Sequence, residues 1–226
     1  VTVVSDNDAD VFERLSGIRP TVASNGVSDE AFALPKDTSS TVEVVFIAHL
    51  GWRPNIDAAQ WMAMSVWPYV REALPDAVLR LIGRSPSPEV RRLAAADIVV
   101  DGDVDSVLPF LARARIATAP LLAAGGTRLK IIEALATGTP VVATGLGALG
   151  LEHLVDETYF VIADDPAVFA AEVVRLSTGS AAPVTIRASV RSYGWTEALE
   201  PLVAEVRRVS AEAGMPSPSD APRRGE

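Results

Sequence analysis

From Val42 onward the chain alternates short, β-branched apolar runs with amphipathic segments: VEVVFIAH, IDAAQWMAMSVWPYVREAL, AVLRLIG, SPEVRRLAA, DIVV, SVLPFLARA, IATAPL, RLKIIEALAT, PVVAT, LEHL, YFVIAD and PAVFAAEVVRLS. No other feature narrows the fold as far. Strands that are apolar nearly throughout need cover on both faces, and helices between them supply the crossovers that parallel pairing requires. The order predicts an α/β fold, a doubly wound Rossmann-like parallel sheet of about six strands over residues 35–193. A C-terminal helix is expected over 194–212, and the Pro- and Ser-rich tail 213–226 is expected to be disordered. Residues 1–34 read as a strand, a capped helix and a second short strand, TVAS, outside the main repeat. A strand-like VTVV at the first residue, with no Met, leads us to expect a missing N-terminal part.

Composition removes several classes of function. With 226 residues, 49% of them hydrophobic, the chain can bury a large core. Lys and Arg number 20 against 29 Asp and Glu, a net charge of −9 that should repel nucleic acid. There is no cysteine and only two histidines, far apart, so neither a thiolate nor a histidine-rich metal site is expected. No run approaches roughly 18 uninterrupted apolar residues and no leader pattern opens the sequence, so a cytoplasmic location is expected.

Ligands of open parallel sheets bind beyond the C-terminal strand ends. The loops to search are therefore 49–55, 83–88, 102–106, 123–127 and 144–150, and every one contains glycine. In GGTRLKIIEALATGTPVVAT, Gly125 and Gly126 let backbone amides approach a ligand at a helix amino end, where the macrodipole favours an anion such as phosphate. Lys130 and Glu133 are three apart, hence on one helix face about 4.5 Å apart along the axis. A cation near a phosphate and an acid accepting from two vicinal hydroxyls would suit a nucleoside diphosphate. The competing account is a plain turn, Thr127 as N-cap and a solvated Lys130–Glu133 pair. A rival site is TGLGALG, where Gly145, Gly147 and Gly150 fit G-x-G-x-x-G with Asp164 or Asp165 about 20 residues on, a dinucleotide (NAD) pattern. Its helix is short and four or more βα units precede it. SDNDAD resembles a calcium loop, but Val11 and Gly17 stand where glycine and glutamate belong, so helix capping explains it better. His49 and His153 have no triad-like partners by spacing, and His153 is expected to pack. The four tryptophans are expected in the core or at domain contacts, with Trp52 placed to stack on a sugar or base.

Taken together, NGV (Asn25–Val27), IAHLGWRPNIDA (Ile47–Ala58), LIGRSPSPEV (Leu81–Val90), VDGDVDSVLPFLARARIATAPL (Val100–Leu121) and the GGTRLK stretch resemble the C-terminal, nucleotide-sugar-binding domain of family-four glycosyltransferases of GT-B fold. The likeness runs from Val1 to about Val206. It implies that Glu133 holds the ribose hydroxyls and that Gly126, Thr127 and Lys130 contact the diphosphate. Arg84, Ser85, Asp103 and Val104 would lie beside the base, and His49, Gly51 and Arg53 would face the phosphates. Two departures stand out. Gly125 occupies the position where many members carry an acid that contacts the donor sugar, and the first loop reads G-W-R-P-N in place of a phosphate-binding lysine. Arg53, Arg128 or Lys130 must then supply the positive charge.

By the same resemblance residues 1–34 are the end of an acceptor domain with its linker, and the terminal helix packs back toward that domain. The implied function is retaining, metal-independent transfer of a sugar from a UDP- or GDP-type donor, with no cofactor. The acceptor is a glycan, lipid or small molecule bound through the missing N-terminal domain, through which any peripheral membrane contact would also run. The fragment alone is expected to be inactive. The alternatives are a non-catalytic nucleotide-binding or interaction domain of the same fold and an NAD-binding Rossmann domain.

Overall fold

The computed structural model describes residues 1–37, 41–123 and 128–212. Within these the chain divides into two units, Val1–Gly26 with the segment from Ser192 onward, and Val27–Arg191. The smaller unit opens with β1 (Thr2–Val3), α1 (Asp6–Ser16) and β2 (Thr21–Val22), the two strands pairing in parallel. The SDNDAD stretch forms the start of α1, whose N-cap Ser5 accepts from the Asp8 amide. Gly17, at φ 72°, ends that helix in the left-handed region.

The larger unit begins with α2 (Asp29–Ala33) and then builds the βα repeat. In chain order it comprises β3 (Glu43–Ile47), α3 (Arg53–Trp61), α4 (Trp67–Ala73), β4 (Val78–Gly83), α5 (Pro88–Arg91) and β5 (Ile98–Gly102). It continues with α6 (Leu108–Arg113), β6 (Ile116–Ala119), α7 (Leu129–Ala136), β7 (Val141–Ala143) and α8 (Gly145–Ala148). β8 (Phe160–Ile162), α9 (Pro166–Thr178) and α10 (Pro183–Ser189) complete the unit. The chain returns to the smaller unit with α11 (Trp195–Glu212).

The sheet is six-stranded and parallel throughout, in the order β5-β4-β3-β6-β7-β8. Counted from β3 this is 3-2-1-4-5-6, the doubly wound order, with its reversal between β3 and β6. The central strands are apolar because both faces are covered: Val44, Val45 and Phe46 are fully buried, as is Ile116 beside them. Trp67, Met62, Leu79, Leu81, Phe169 and Val173 fill one continuous core, and Trp61 meets Phe169 edge-on at 5.3 Å.

The single amphipathic run after β3 folds as α3, a π-helical stretch Met62–Val66, and α4. Pro68 explains the interruption, because it brings no N–H and its ring crowds the carbonyl one turn back, and the widened turn relieves both. At the opposite end of the sheet from the loops, Lys36 Nζ donates to the carbonyls of Leu111 and Ala114, both at 2.7 Å, and to Thr139 Oγ1 at 2.9 Å. It is thus a cationic cap on the carboxyl end of α6.

Candidate functional site

Parallel strands deliver their following loops to one edge, and at the β3/β6 reversal neighbouring loops diverge to leave a crevice. On its β3 side the chain is held close to the next strand. Ala48 N–H donates to the Ile82 carbonyl (2.9 Å) and Leu50 N–H to the Arg84 carbonyl (2.8 Å). Glycine is required at two points of this approach: a Cβ on Gly83 (φ 145°) would lie 1.7 Å from the Ala48 oxygen, and one on Gly51 2.7 Å from the Ser85 oxygen. Ser85 and Asp103 both have positive φ, at 50° and 55°. The Ser85 amide donates to Asp103 Oδ1 at 2.7 Å, so the loops after β4 and β5 are locked to each other. Strained non-glycine backbone of this kind needs surrounding structure to hold it and clusters at ligand sites. Arg84, Ser85 and Asp103 are exposed, and Val104 is half-buried.

Of the helices that follow sheet strands, most have the first turn satisfied by a side chain. Ser87 caps α5, Ser106 Oγ accepts from Leu108 N–H at the start of α6, Thr144 caps α8, and Asp165 caps α9 with two bonds. Among the described residues, α3 and α7 have no such cap. These two helices flank the reversal, so the crevice receives two amino ends whose positive dipole ends favour an anion; at α3 Pro54 has no N–H and the Asn55 amide already bonds to the Trp52 carbonyl.

Lys130, in the first turn of α7, projects over β3. Its ammonium lies 5.1 Å from the Phe46 ring centroid and 3.5 Å from Asn55 Oδ1. Burial, with a smaller contribution from the nearby Arg128 charge, pushes its pKa down to about 8. Glu133, one turn on, is half-buried; burial raises its carboxyl above the usual range, and among the described residues no hydrogen bond or ion pair engages its side chain. A desolvated carboxyl of this kind is well suited to accept from ligand hydroxyls. Arg128 is 5% exposed, and its guanidinium donates to the Leu146 carbonyl through Nε (3.3 Å) and Nη2 (3.0 Å), tying the start of α7 to α8. Arg53 is exposed and ion-paired with Asp57 at 2.7 Å, one turn along α3. Gly125, Gly126 and Thr127 lie outside the described residues, as does the tail 213–226.

The sequence reading overlooked Asn55. It is buried (5% exposed), and its Nδ2 donates to the His49 carbonyl at 3.0 Å while Oδ1 faces Lys130. A buried amide in the first turn of a helix that follows a glycine loop was the available signal. The TGLGALG pattern folds differently from a dinucleotide site. The Gly145 amide donates to Asp164 Oδ1 (2.8 Å), the Gly147 amide to Thr144 Oγ1 (3.0 Å), and α8 is only four residues long. The amides that would bind a pyrophosphate therefore already have partners, and the loop follows β7 rather than the reversal. His153 is exposed instead of packed, and Trp52 stands 49% exposed at the start of α3. The grooves between α4 and α9 and around Thr158–Thr185 lie away from these loops. Among the described residues no cluster of acids and histidines could hold a metal ion, and no helix is long and apolar enough to cross a membrane.

Residues 41–178, more than half of the chain, match the family described as Glycosyl transferases group 1. A phosphatidyl-myo-inositol mannosyltransferase from Propionibacterium freudenreichii subsp. shermanii is 29% identical over 156 residues, covering 68% of this chain and 40% of that protein. Among solved structures, a point mutant of S. aureus TarM, in complex with fondaparinux, alpha-GlcNAc-glycerol and UDP, superposes with a TM-score of 0.74 at 16% identity, covering 90% of this chain and 43% of TarM. The pneumococcal O-GlcNAc transferase GtfA, in complex with UDP and GlcNAc, gives 0.67 at 15% identity, over 92% of this chain and 44% of GtfA. At such identities the likeness is one of fold. The chain spans about two fifths of the length of these relatives. Sequence match and strand order agree, and the chain belongs to the glycosyl transferases group 1 family.

Proposed function

We propose that this chain is the donor-binding half of a retaining glycosyltransferase that moves a sugar from a nucleoside diphosphate, of UDP or GDP type, to a glycan, lipid or small-molecule acceptor. One observation carries the reading: two helix ends with no side-chain cap among the described residues flank the sheet reversal, and one of them bears a largely desolvated ammonium and, a turn later, a carboxyl without a partner among the described residues. The diphosphate would lie against the amino end of α7 and Lys130, and the ribose hydroxyls would donate to Glu133. Gly126, Thr127 and Arg128 complete the phosphate side, with Gly51 and Arg53 across the crevice. The base would lie by Arg84, Asp103 and Val104. In the transfer the bond from the anomeric carbon to the β-phosphate oxygen breaks while the acceptor oxygen bonds to that carbon. The electron pair leaves with the phosphate, which takes the acceptor's proton, and Lys130 with the helix amides stabilises its charge. No step calls for a metal or cofactor, and we place the reaction in the cytoplasm.

The acceptor would bind to a preceding domain, of which residues 1–34 are the last part and to which the helix 194–212 returns; any membrane contact would run through it. Among the described residues the smaller unit exposes Val1, Val4, Leu15, Ile18, Val203, Val206 and Val209, as a body built to pack against further chain would. A second reading, nucleotide binding without transfer, is favoured by one feature, the glycine at position 125 where an acid would contact the donor sugar.

The test is calorimetric titration with UDP, GDP, ADP and NAD. We expect one nucleoside diphosphate to bind, with Lys130→Ala and Glu133→Ala each weakening it about tenfold or more, as loss of a charge-assisted hydrogen bond does. Binding of NAD alone, indifferent to both changes, would overturn the reading.

A further inference from the structure

We propose that Asn55 is the positioning residue of this site: its carboxamide bridges the first glycine loop and the ammonium of Lys130, and so sets where that cation meets the diphosphate. The inference rests on the donor-site reading for its ligand but on the fold alone for its geometry.

The bridge makes opposite demands at its two ends. The His49 carbonyl can only accept, and it takes the Asn55 Nδ2 proton at 3.0 Å. The Lys130 ammonium can only donate, and it faces Oδ1 at 3.5 Å. A carboxamide carries one donor end and one acceptor end, so both neighbours fix the same orientation, and a carboxylate or an aliphatic group of equal size satisfies only one of them or neither. Asn55 is itself held by the first turn of α3, where its amide bonds to the Trp52 carbonyl at 2.9 Å. The charged groups around Lys130 are few. Arg128, just ahead on the same segment, repels it, and Glu133 lies one turn on along α7. From the β3 side come the Phe46 ring and the exposed His49, while Arg53 on α3 is turned to Asp57. A lysine stem is flexible, and the 3.5 Å approach leaves the ammonium room to move toward a phosphate while the amide keeps it on the crevice side.

The chain contains two lysines, Lys36 and Lys130, so isotopic labelling of lysine side chains reads both ammonium groups directly, with Lys36 as an internal control. The labelled wild type, Asn55→Leu and Asn55→Asp would be titrated with pH, and each then titrated with UDP and GDP. Asn55→Leu should lower the Lys130 midpoint and weaken diphosphate binding roughly tenfold, the loss expected of a hydrogen bond to a charged group. Asn55→Asp should raise the midpoint, because a carboxylate then faces the ammonium, and Lys36 should stay where it was in both. A Lys130 midpoint unmoved in both folded variants would overturn the proposal. If the midpoints move as expected but the wild type binds no nucleotide, Asn55 positions Lys130 and the donor-site reading is what fails.

Discussion

Two ionisable side chains on one face of α7 are pushed toward their neutral forms by the same cause, burial, and this makes the site responsive to pH. Lys130 is the sharper case. Its folded pKa, about 8, is below the ordinary 10.5 of lysine, so the free protein keeps the ammonium at neutral pH and loses it as pH rises through 8. A diphosphate binds the charged form, and its affinity should therefore be flat below pH 8 and fall above it, approaching about tenfold per pH unit. Lys130→Arg keeps a cation throughout and should remove that slope, which titration calorimetry from pH 7 to 10 would measure. The effect on stability has the opposite sign. Between about 8 and 10.5 the unfolded chain holds the proton more tightly than the folded one, so wild type should gain stability relative to Lys130→Met as pH rises across that window. A slope of binding unchanged in Lys130→Arg would show that another group governs the pH dependence.

At the scale of elements, the strands and helices of the larger unit were legible because each reports its own burial. Runs such as VVFI (Val44–Ile47) are apolar at every position, as only a doubly covered strand needs to be, with Glu43 at the start of β3 held by Arg80. The π-helical turn was not legible, since the apolar stripe from Ile56 to Val70 continues through it, although Pro68 was there to be read. The candidate site divides in the same way. Lys130 and Glu133 announce themselves by spacing, whereas Asn55 acquires meaning only when β3 and β6 become neighbours and bring α3 beside α7. Glycine makes a comparable distinction measurable. Gly83 and Gly17 both have positive φ, yet a Cβ would strike the Ala48 carbonyl oxygen in the first case and meet nothing within 4 Å in the second. Gly83→Ala should cost about 3 kcal/mol or more through forced separation of β3 and β4. Gly17→Ala should cost only about 1 kcal/mol, the left-handed penalty alone. Urea midpoints compare them, and equal losses would show that the close approach at Gly83 is relieved without cost.

The whole molecule is two bodies of unequal solidity. In the larger, Phe46, Trp67, Phe160 and Phe169 are fully or nearly fully buried, and six paired strands carry the hydrogen bonds. In the smaller, the buried hydrophobic side chains among the described residues are Ala9, Ala23 and Ala198, and the sheet is a pair of two-residue strands. Alanines bury little area, at roughly 25 cal/mol per Å², and a two-stranded sheet is marginal by itself. Local stability should follow this difference. In native-state hydrogen exchange the Ala23 amide, bonded to the Val3 carbonyl, should exchange through a small opening well before that of Ala48, bonded to Ile82. If the smaller unit is completed by a preceding domain, joining that domain to this chain should slow exchange at Ala23 while leaving Ala48 unchanged. Equal protection of the two amides in the chain as it stands would mean that the smaller unit is already a finished structure, and would remove the physical ground for assigning its apolar faces to an acceptor domain.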